Sequence, residues 1–194
     1  DDLGAWAVVA SFPVEGTEED DTPVWRYEIK TQSYIVAECK RDLTKPPFYE
    51  WVSEDILRTT PYPVSELVRD FSEICHEVYV RDVAFDPAQA QLVAEELHQN
   101  GILAEPMSQT YAYFNAPLTE LWQAMADGRV THDGCPLLRW CIGNAMAIQN
   151  PQEKWMLNKR DSQDKIDPAV ALVMAFWRAM CAPRRPVGNL FSIG

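Results

Sequence analysis

Long hydrophobic runs are missing from this 194-residue chain. No stretch approaches the roughly eighteen uninterrupted apolar residues that a membrane span needs. The first residues, Asp1-Asp2-Leu3-Gly4, have neither the basic start nor the apolar stretch of a secretory leader. A soluble protein with no membrane association, not secreted by that route, is the expectation. The five cysteines, Cys39, Cys75, Cys135, Cys141 and Cys181, form no C-x-x-C pair and no Cys/His grouping at zinc-finger spacing. Reduced, partly buried thiols in a cytosolic protein are expected, with neither disulfide nor zinc. The chain also contains no G-x-x-x-x-G-K-[ST] and no G-x-G-x-x-G, which excludes nucleotide binding in those two ways. G-x-S-x-G and H-E-x-x-H do not occur either.

Basic charge is scarce. Lys and Arg number 17 against 29 Asp and Glu, a net charge of −12, and this balance alone points away from nucleic acid, whose binding rests on Lys and Arg displacing counterions. Much of the acid is local, however. Glu15, Glu18, Glu19, Asp20 and Asp21 cluster near Gly16 and Pro23, as in a solvated hairpin tip. Basic residues gather late, at Arg139, Lys154, Lys159, Arg160, Lys165, Arg178, Arg184 and Arg185, and can line a separate face.

With 47% hydrophobic residues and 11% aromatics, the chain can bury one sizeable core. One domain over residues 1–182 is expected, followed by a loose Pro- and Arg-containing tail over 183–194. Trp6–Phe12 suits a central strand, and Val24–Val36 alternates as a paired strand does, so the chain opens as a β-meander. The spacing of Phe48, Trp51, Val52, Ile56 and Leu57 is helical, and Pro63 starts a second amphipathic helix. Val78–Phe85 forms a strand ending at Asp86-Pro87; Ala88–Asn100 is a helix closed by Gly101, and Ile102–Pro106 a further strand. This β-α-β unit implies parallel strands with a right-handed crossover and an α/β or mixed architecture. Asn115–Asp127 forms a helix with Asn115 as cap and Pro117 in its first turn. Leu137–Ala145 is another, Ala147–Gln149 and Trp155–Leu157 form a hairpin, and Asp167-Pro168 opens an apolar final helix.

Two aspartates stand out by position. Asp86 ends an apolar strand and Asp167 begins an apolar helix. Carboxyl ends of strands are where sites gather in open α/β sheets, yet an aspartate at a helix N-terminus is equally a routine cap. The chemical alternative is that both hold divalent cations, because Mg²⁺ and Mn²⁺ prefer oxygen ligands and can clamp the attacking and leaving oxygens of a phosphodiester. His132 before Asp133-Gly134 suits a surface turn or a general base. Asn144 suits a cap or a ligand, and Lys159 a solvated cation or a phosphate contact. Trp140 and Trp177 fall on apolar helix faces and belong to the core.

Taken in order, several segments resemble the nuclease domain of tailed-phage terminase large subunits. They are Phe48–Val52, Thr59-Thr60-Pro61, Val83–Pro87, Gln109, Pro117–Leu121, Val130–Trp140, Asn144, Lys159 and Lys165–Leu172. The resemblance covers nearly the whole chain. It implies an α/β, ribonuclease H-like fold, a mixed central β-sheet flanked by helices, acting as a metal-dependent endonuclease that cuts concatemeric double-stranded DNA during genome packaging. It implies two divalent cations, Mg²⁺ or Mn²⁺, with Asp86 and Asp167 as catalytic metal ligands and His132, Asn144 and Lys159 as supporting residues. In the family another aspartate sits on the first strand, shortly before an Asp-Leu-Thr-Ala-like motif. Asp1–Ala5 resembles only that later motif, so the resemblance places the first ligand upstream, along with an ATPase domain. Pro168 replaces the family's usual glycine. Portal and small terminase subunit are the implied partners, in the cytoplasm of an infected bacterial host. The rival reading is a non-catalytic docking module whose acidic surface binds one of those partners.

Overall fold

The structure, a computed structural model, describes residues 3–14, 24–39, 41–44, 47–88, 90–162 and 164–181. The acidic segment and the C-terminal tail named above lie outside the described residues. Strand β1 (Leu3–Pro13) pairs antiparallel with β2 (Trp25–Val36), in register from Leu3 opposite Ile35 to Pro13 opposite Trp25. Helix α1 (Phe48–Ser53) then carries the chain to β3 (Leu57–Thr60), which lies parallel to β2. Strand β6 (Val130–His132) is also parallel to β2 and takes the Tyr27–Ile29 stretch. Since β1 covers β2 along one side, β3 and β6 share the other.

Three expectations change at this point. The opening is an antiparallel pair followed by a parallel return, so the β-meander stops after two strands. The strand expected at the centre, β1, is hydrogen-bonded on one side only among the described residues. The helix expected through Leu57 ends at Ser53: Asp55 takes a left-handed φ of 57° and Ile56 N–H turns back to the Trp51 carbonyl at 2.9 Å, which releases Leu57 into β3. Apolar Ile56 and Leu57 satisfy both a helical face and the start of a strand, and only the sheet partner decides between them.

Alternation along β1 and β2 places buried side chains on both faces of this mixed sheet. Trp6 and Tyr34 point to helix α2 (Pro63–Glu77), where they meet Leu67, Val68 and Phe71. Tyr27 and Ile29 point the other way, against α6 (Asp167–Cys181) and α4 (Tyr111–Ala126), packing with Leu172, Phe176, Leu121 and Ala124. The Tyr27 and Phe176 rings lie 4.3 Å apart. Each such fully buried side chain contributes about 1.5–3 kcal/mol relative to exposure. Helix α5 (Pro136–Asn144) adds Leu137 and Cys141 to the core, and Trp140 stacks edge-on to Trp51, centroids 5.5 Å apart. Strands β7 (Ala147–Gln149) and β8 (Trp155–Leu157) form the expected hairpin. Helix α4 begins at Tyr111 rather than at the expected Asn115. The Asn115 side chain does not cap it but accepts the Trp155 N–H at 2.8 Å, and Pro117 sits buried within the helix.

A buried hydrogen-bond chain fastens α2 to the sheet. Trp6 Nε1 donates to the Tyr34 hydroxyl at 3.0 Å, which donates to Asp70 at 2.7 Å; Arg58 and Arg69 pair with the same carboxylate. Burial opposes ionisation of Asp70, but the hydrogen bonds from Tyr34, Arg69 and Arg58 outweigh it and hold the carboxyl below its usual range. Tyr34→Phe strips a donor from Asp70 and orphans Trp6 Nε1. It is expected to cost about 1–3 kcal/mol in urea denaturation. Because the Asp70 pKa is depressed, its contribution is complete above the ordinary aspartate range and is lost as pH falls through the lowered value. The variant's stability should therefore depend less on pH in the acid range. An unchanged urea midpoint would show that the chain of bonds is not formed in solution.

Candidate functional site

Strand β4 (Val83–Phe85), helix α3 (Gln91–Gln99) and strand β5 (Ala104–Pro106) make the expected parallel β-α-β unit, with Gly101 closing the helix at φ +78°. The strand expected over Val78–Phe85 is shorter than its apolar run. Val78 ends α2 with its N–H on the Ile74 carbonyl, and Val80 N–H closes a turn onto Val78. Asp86 follows β4 and is half-buried. Its two carboxylate oxygens are held from different directions: Ala88 N–H donates to Oδ1 at 3.0 Å, and Gln109 Nε2 donates to Oδ2 at 2.6 Å. Parallel pairing accounts for Gln109. Phe85 lies opposite Pro106, so the chain leaving β5 passes beside the chain leaving β4. Gln109 entered the sequence reading only among the residues that carry the family resemblance, with no role assigned; the β-α-β pattern was the signal that its segment would reach Asp86.

Asp167 opens α6, with Pro168 in the first turn. The preceding loop is braced at both ends. Asn158 Oδ1 accepts the N–H of Arg160 at 3.0 Å, and Ser162 Oγ donates to the Asn158 carbonyl at 2.7 Å while accepting Met146 N–H at 3.1 Å. Toward α6, Arg41 pairs with Asp164, whose carboxyl is held below its usual range chiefly by that bond, and Ile166 is buried. On this mount Lys159 places its Nζ 3.0 Å from Asp167 Oδ1.

Asp86, Gln109, Lys159 and Asp167 line one cleft of about 1310 Å³. Residues 3–12 of β1 line it consecutively, as do Val78–Asp86, the segment that runs through β4. Among the described residues β1 bonds only to β2, and β4 only to β5. Helix α6 supplies a further wall through Val170, Met174 and Arg178, and Arg178 pairs with Asp82 beside β4. His132 and Asn144 are not brought here. His132 ends β6, across β2 from the cleft, and its Nδ1 accepts Gly134 N–H at 2.9 Å. Asn144 ends α5, its side-chain nitrogen buried without a partner.

The donor chemistry fits a hard divalent cation in part. Two carboxylates face one cleft, and an ammonium already rests on one of them, so the position favours positive charge. Among the described residues no group of three or more His, Cys, Asp or Glu is close enough to hold an ion.

A mixed sheet clad by helices, with acidic residues on a cleft at the carboxyl end of a strand, defines a class of α/β domain; comparison with known proteins gives the family. The family described as terminase large subunit, endonuclease domain, matches residues 64–182, and the chain belongs to it. Protein YmfN of Escherichia coli K12 is 29% identical over 152 residues, covering 76% of this chain and 33% of that protein. The large terminase subunit of Enterobacteria phage HK97 is 26% identical over 181 residues, covering 90% of this chain and 35% of its own length. The chain thus spans about a third of the length of these curated relatives. The crystal structure of the HK97 large terminase superposes with a TM-score of 0.68 at 23% identity, over 91% of this chain and 40% of that one. The fold is ribonuclease H-like, as the resemblance implied.

Gln109→Ala removes a part-buried hydrogen bond to a charged oxygen and is expected to cost about 1.5 kcal/mol in metal-free protein. Equal urea midpoints for variant and wild type would show that Gln109 does not hold Asp86.

Proposed function

We propose that this chain is the endonuclease domain of a packaging terminase, cutting concatemeric double-stranded phage DNA with Mg²⁺ or Mn²⁺ held by Asp86 and Asp167. The observation that carries the reading is that both aspartates line one cleft, within a chain of the terminase endonuclease family. Bound divalent ions would supply a water nucleophile at neutral pH and charge stabilisation at the phosphodiester. The chain's own residues do the positioning. Ala88 N–H and Gln109 fix the orientation of Asp86, the first turn of α6 presents Asp167, and Lys159 and Arg178 place positive charge along the cleft. His132 and Asn144, away from the cleft, take no part in the chemistry.

Among the described residues β1 and β4 each have a strand partner on one side only, and an exposed edge is a template for pairing. We propose that a further strand of the intact protein pairs there and brings the third carboxylate implied by the family resemblance. An ATPase domain upstream, a portal and a small terminase subunit are the proposed partners, in the cytoplasm of the infected host. No helix among the described residues is long and apolar enough to cross a membrane.

Two measurements test this. In the intact protein, Asp167→Asn is expected to abolish Mn²⁺-dependent plasmid nicking while changing metal-free stability by no more than about 1 kcal/mol, the worth of a part-exposed ion pair. Undiminished nicking would overturn the assignment, and a much larger loss of stability would mark Asp167 as a structural cap. The 194-residue chain alone, at net charge −12, is expected to bind DNA at roughly 10⁻⁴ M or weaker at physiological salt and to cut poorly. A version extended upstream through one strand should cut better under the same ions. Equal, vigorous cutting by both would refute the third-ligand assignment; an extended protein that neither cuts nor binds DNA would favour the docking-module reading.

A further inference from the structure

Two residues outside the cleft hold the approach to Asp167. Arg41, on the loop between β2 and α1, forms a two-armed ion pair with Asp164: Nη1 donates to Oδ2 at 3.2 Å and Nη2 donates to Oδ1. Neither residue is on the cleft lining, and the pair spans 123 positions of sequence. A guanidinium presents its donors as a planar fork, so a carboxylate held by two of them is fixed in direction as well as in distance.

The guanidinium is itself held. Its carbon lies 5.2 Å from the centroid of the Phe48 ring, and Phe48 meets Trp51 of the same helix at 5.3 Å and Trp140 of α5 at 5.9 Å, both edge-on. Arg41 thus rests on an aromatic platform that joins α1 to α5. Its carbonyl accepts Leu43 N–H at 3.1 Å and the Cys39 thiol at 3.8 Å, which holds the backbone of the loop in a turn. On the partner's side, Asp164 Oδ1 also accepts Lys165 N–H at 2.8 Å. Buried Ile166 follows, and its carbonyl takes Val170 N–H at 3.0 Å at the start of α6. The first turn of a helix contains N–H groups with no intrahelical partner and frays before the middle does. Apolar burial from Pro168 onward fixes the axis of α6, while the direction of Asp167 depends also on the residues that lead into it.

We propose that Arg41 is a positioning residue for Asp167: its fork on Asp164 fixes the turn through Ile166, and with it the direction in which the first residue of α6 presents its carboxylate to the cleft. The proposal rests on the nuclease reading above. It makes a guanidinium outside the cleft a determinant of turnover without any contact to DNA, and the platform of Phe48, Trp51 and Trp140 part of the frame of the site.

The test uses the intact protein with Arg41→Ala, Arg41→Lys, Asp164→Asn and the double variant of Arg41→Ala with Asp164→Asn. Plasmid nicking in Mn²⁺ gives kcat and KM, and hydrogen exchange without metal or DNA is followed at Lys165–Val170 and at Leu172–Phe176. Arg41→Ala is expected to lower kcat roughly ten- to hundredfold, the effect of a misplacement of about 1 Å at a reacting group, with KM within about twofold of wild type. Exchange should quicken about three- to tenfold at Lys165–Val170 and stay unchanged at Leu172–Phe176, where apolar packing holds the helix. Arg41→Lys keeps the charge but not the fork and should stay close to Arg41→Ala. Asp164→Asn should act in the same direction, and the double variant should be no worse than Arg41→Ala, because both substitutions remove one interaction. Wild-type kcat in Arg41→Ala, full recovery in Arg41→Lys, a loss confined to KM, or additive losses in the double variant each overturn the proposal. So does exchange at Lys165–Val170 that the substitutions leave unaltered, or that quickens equally in both segments, the mark of a general structural role. Wild-type protein that does not nick overturns the nuclease reading alone, and the exchange pattern then supports or overturns the positioning by itself.

Discussion

Everything at the cleft depends on the seating of α6 across β1 and β2. Val170, Leu172, Val173, Met174 and Phe176 are all buried, and the helix presses against the sheet face that carries Tyr27 and Ile29. A helix buried this extensively has no freedom to slide, so its first residue is delivered to a fixed place. Asp167 gains its position from that packing, and the Arg178–Asp82 pair, farther along the same helix, ties it to the β4 segment that ends at Asp86.

The second constraint is electrostatic. Carboxylates gathered on a cleft repel one another unless cations or donors intervene, and the protein meets this with its own groups before any ion is considered. Gln109 and a backbone N–H hold Asp86, and Lys159 holds Asp167. The same arrangement keeps both carboxylates on the lining of one cleft.

How far the sequence could be read depended on the range of the interaction involved. The β4–α3–β5 unit was legible because its cues are local: an apolar run, Asp86-Pro87, a helical face and Gly101. The final helix was legible for the same reason, with Asp167-Pro168 opening an apolar stretch. Errors arose where one local pattern served two structures. Ile56 and Leu57 suit a helix face as well as the strand they partly enter. Asn115 before Pro117 has the look of a helix start, yet its amide is taken by the Trp155 N–H of a hairpin distant in sequence.

Residue types and local periodicity by themselves determined the α/β class, the absence of long apolar spans, the position of Asp86 after a strand and that of Asp167 at a helix start. Those properties follow from side-chain spacing within a few turns of chain. Only the tertiary structure decided that Gln109 and Lys159 join these aspartates while His132 and Asn144 do not, and that β1 and the segment through β4 line one cleft. Such relations are set by which strand edges and helix faces meet, a matter of long-range packing that no local spacing encodes.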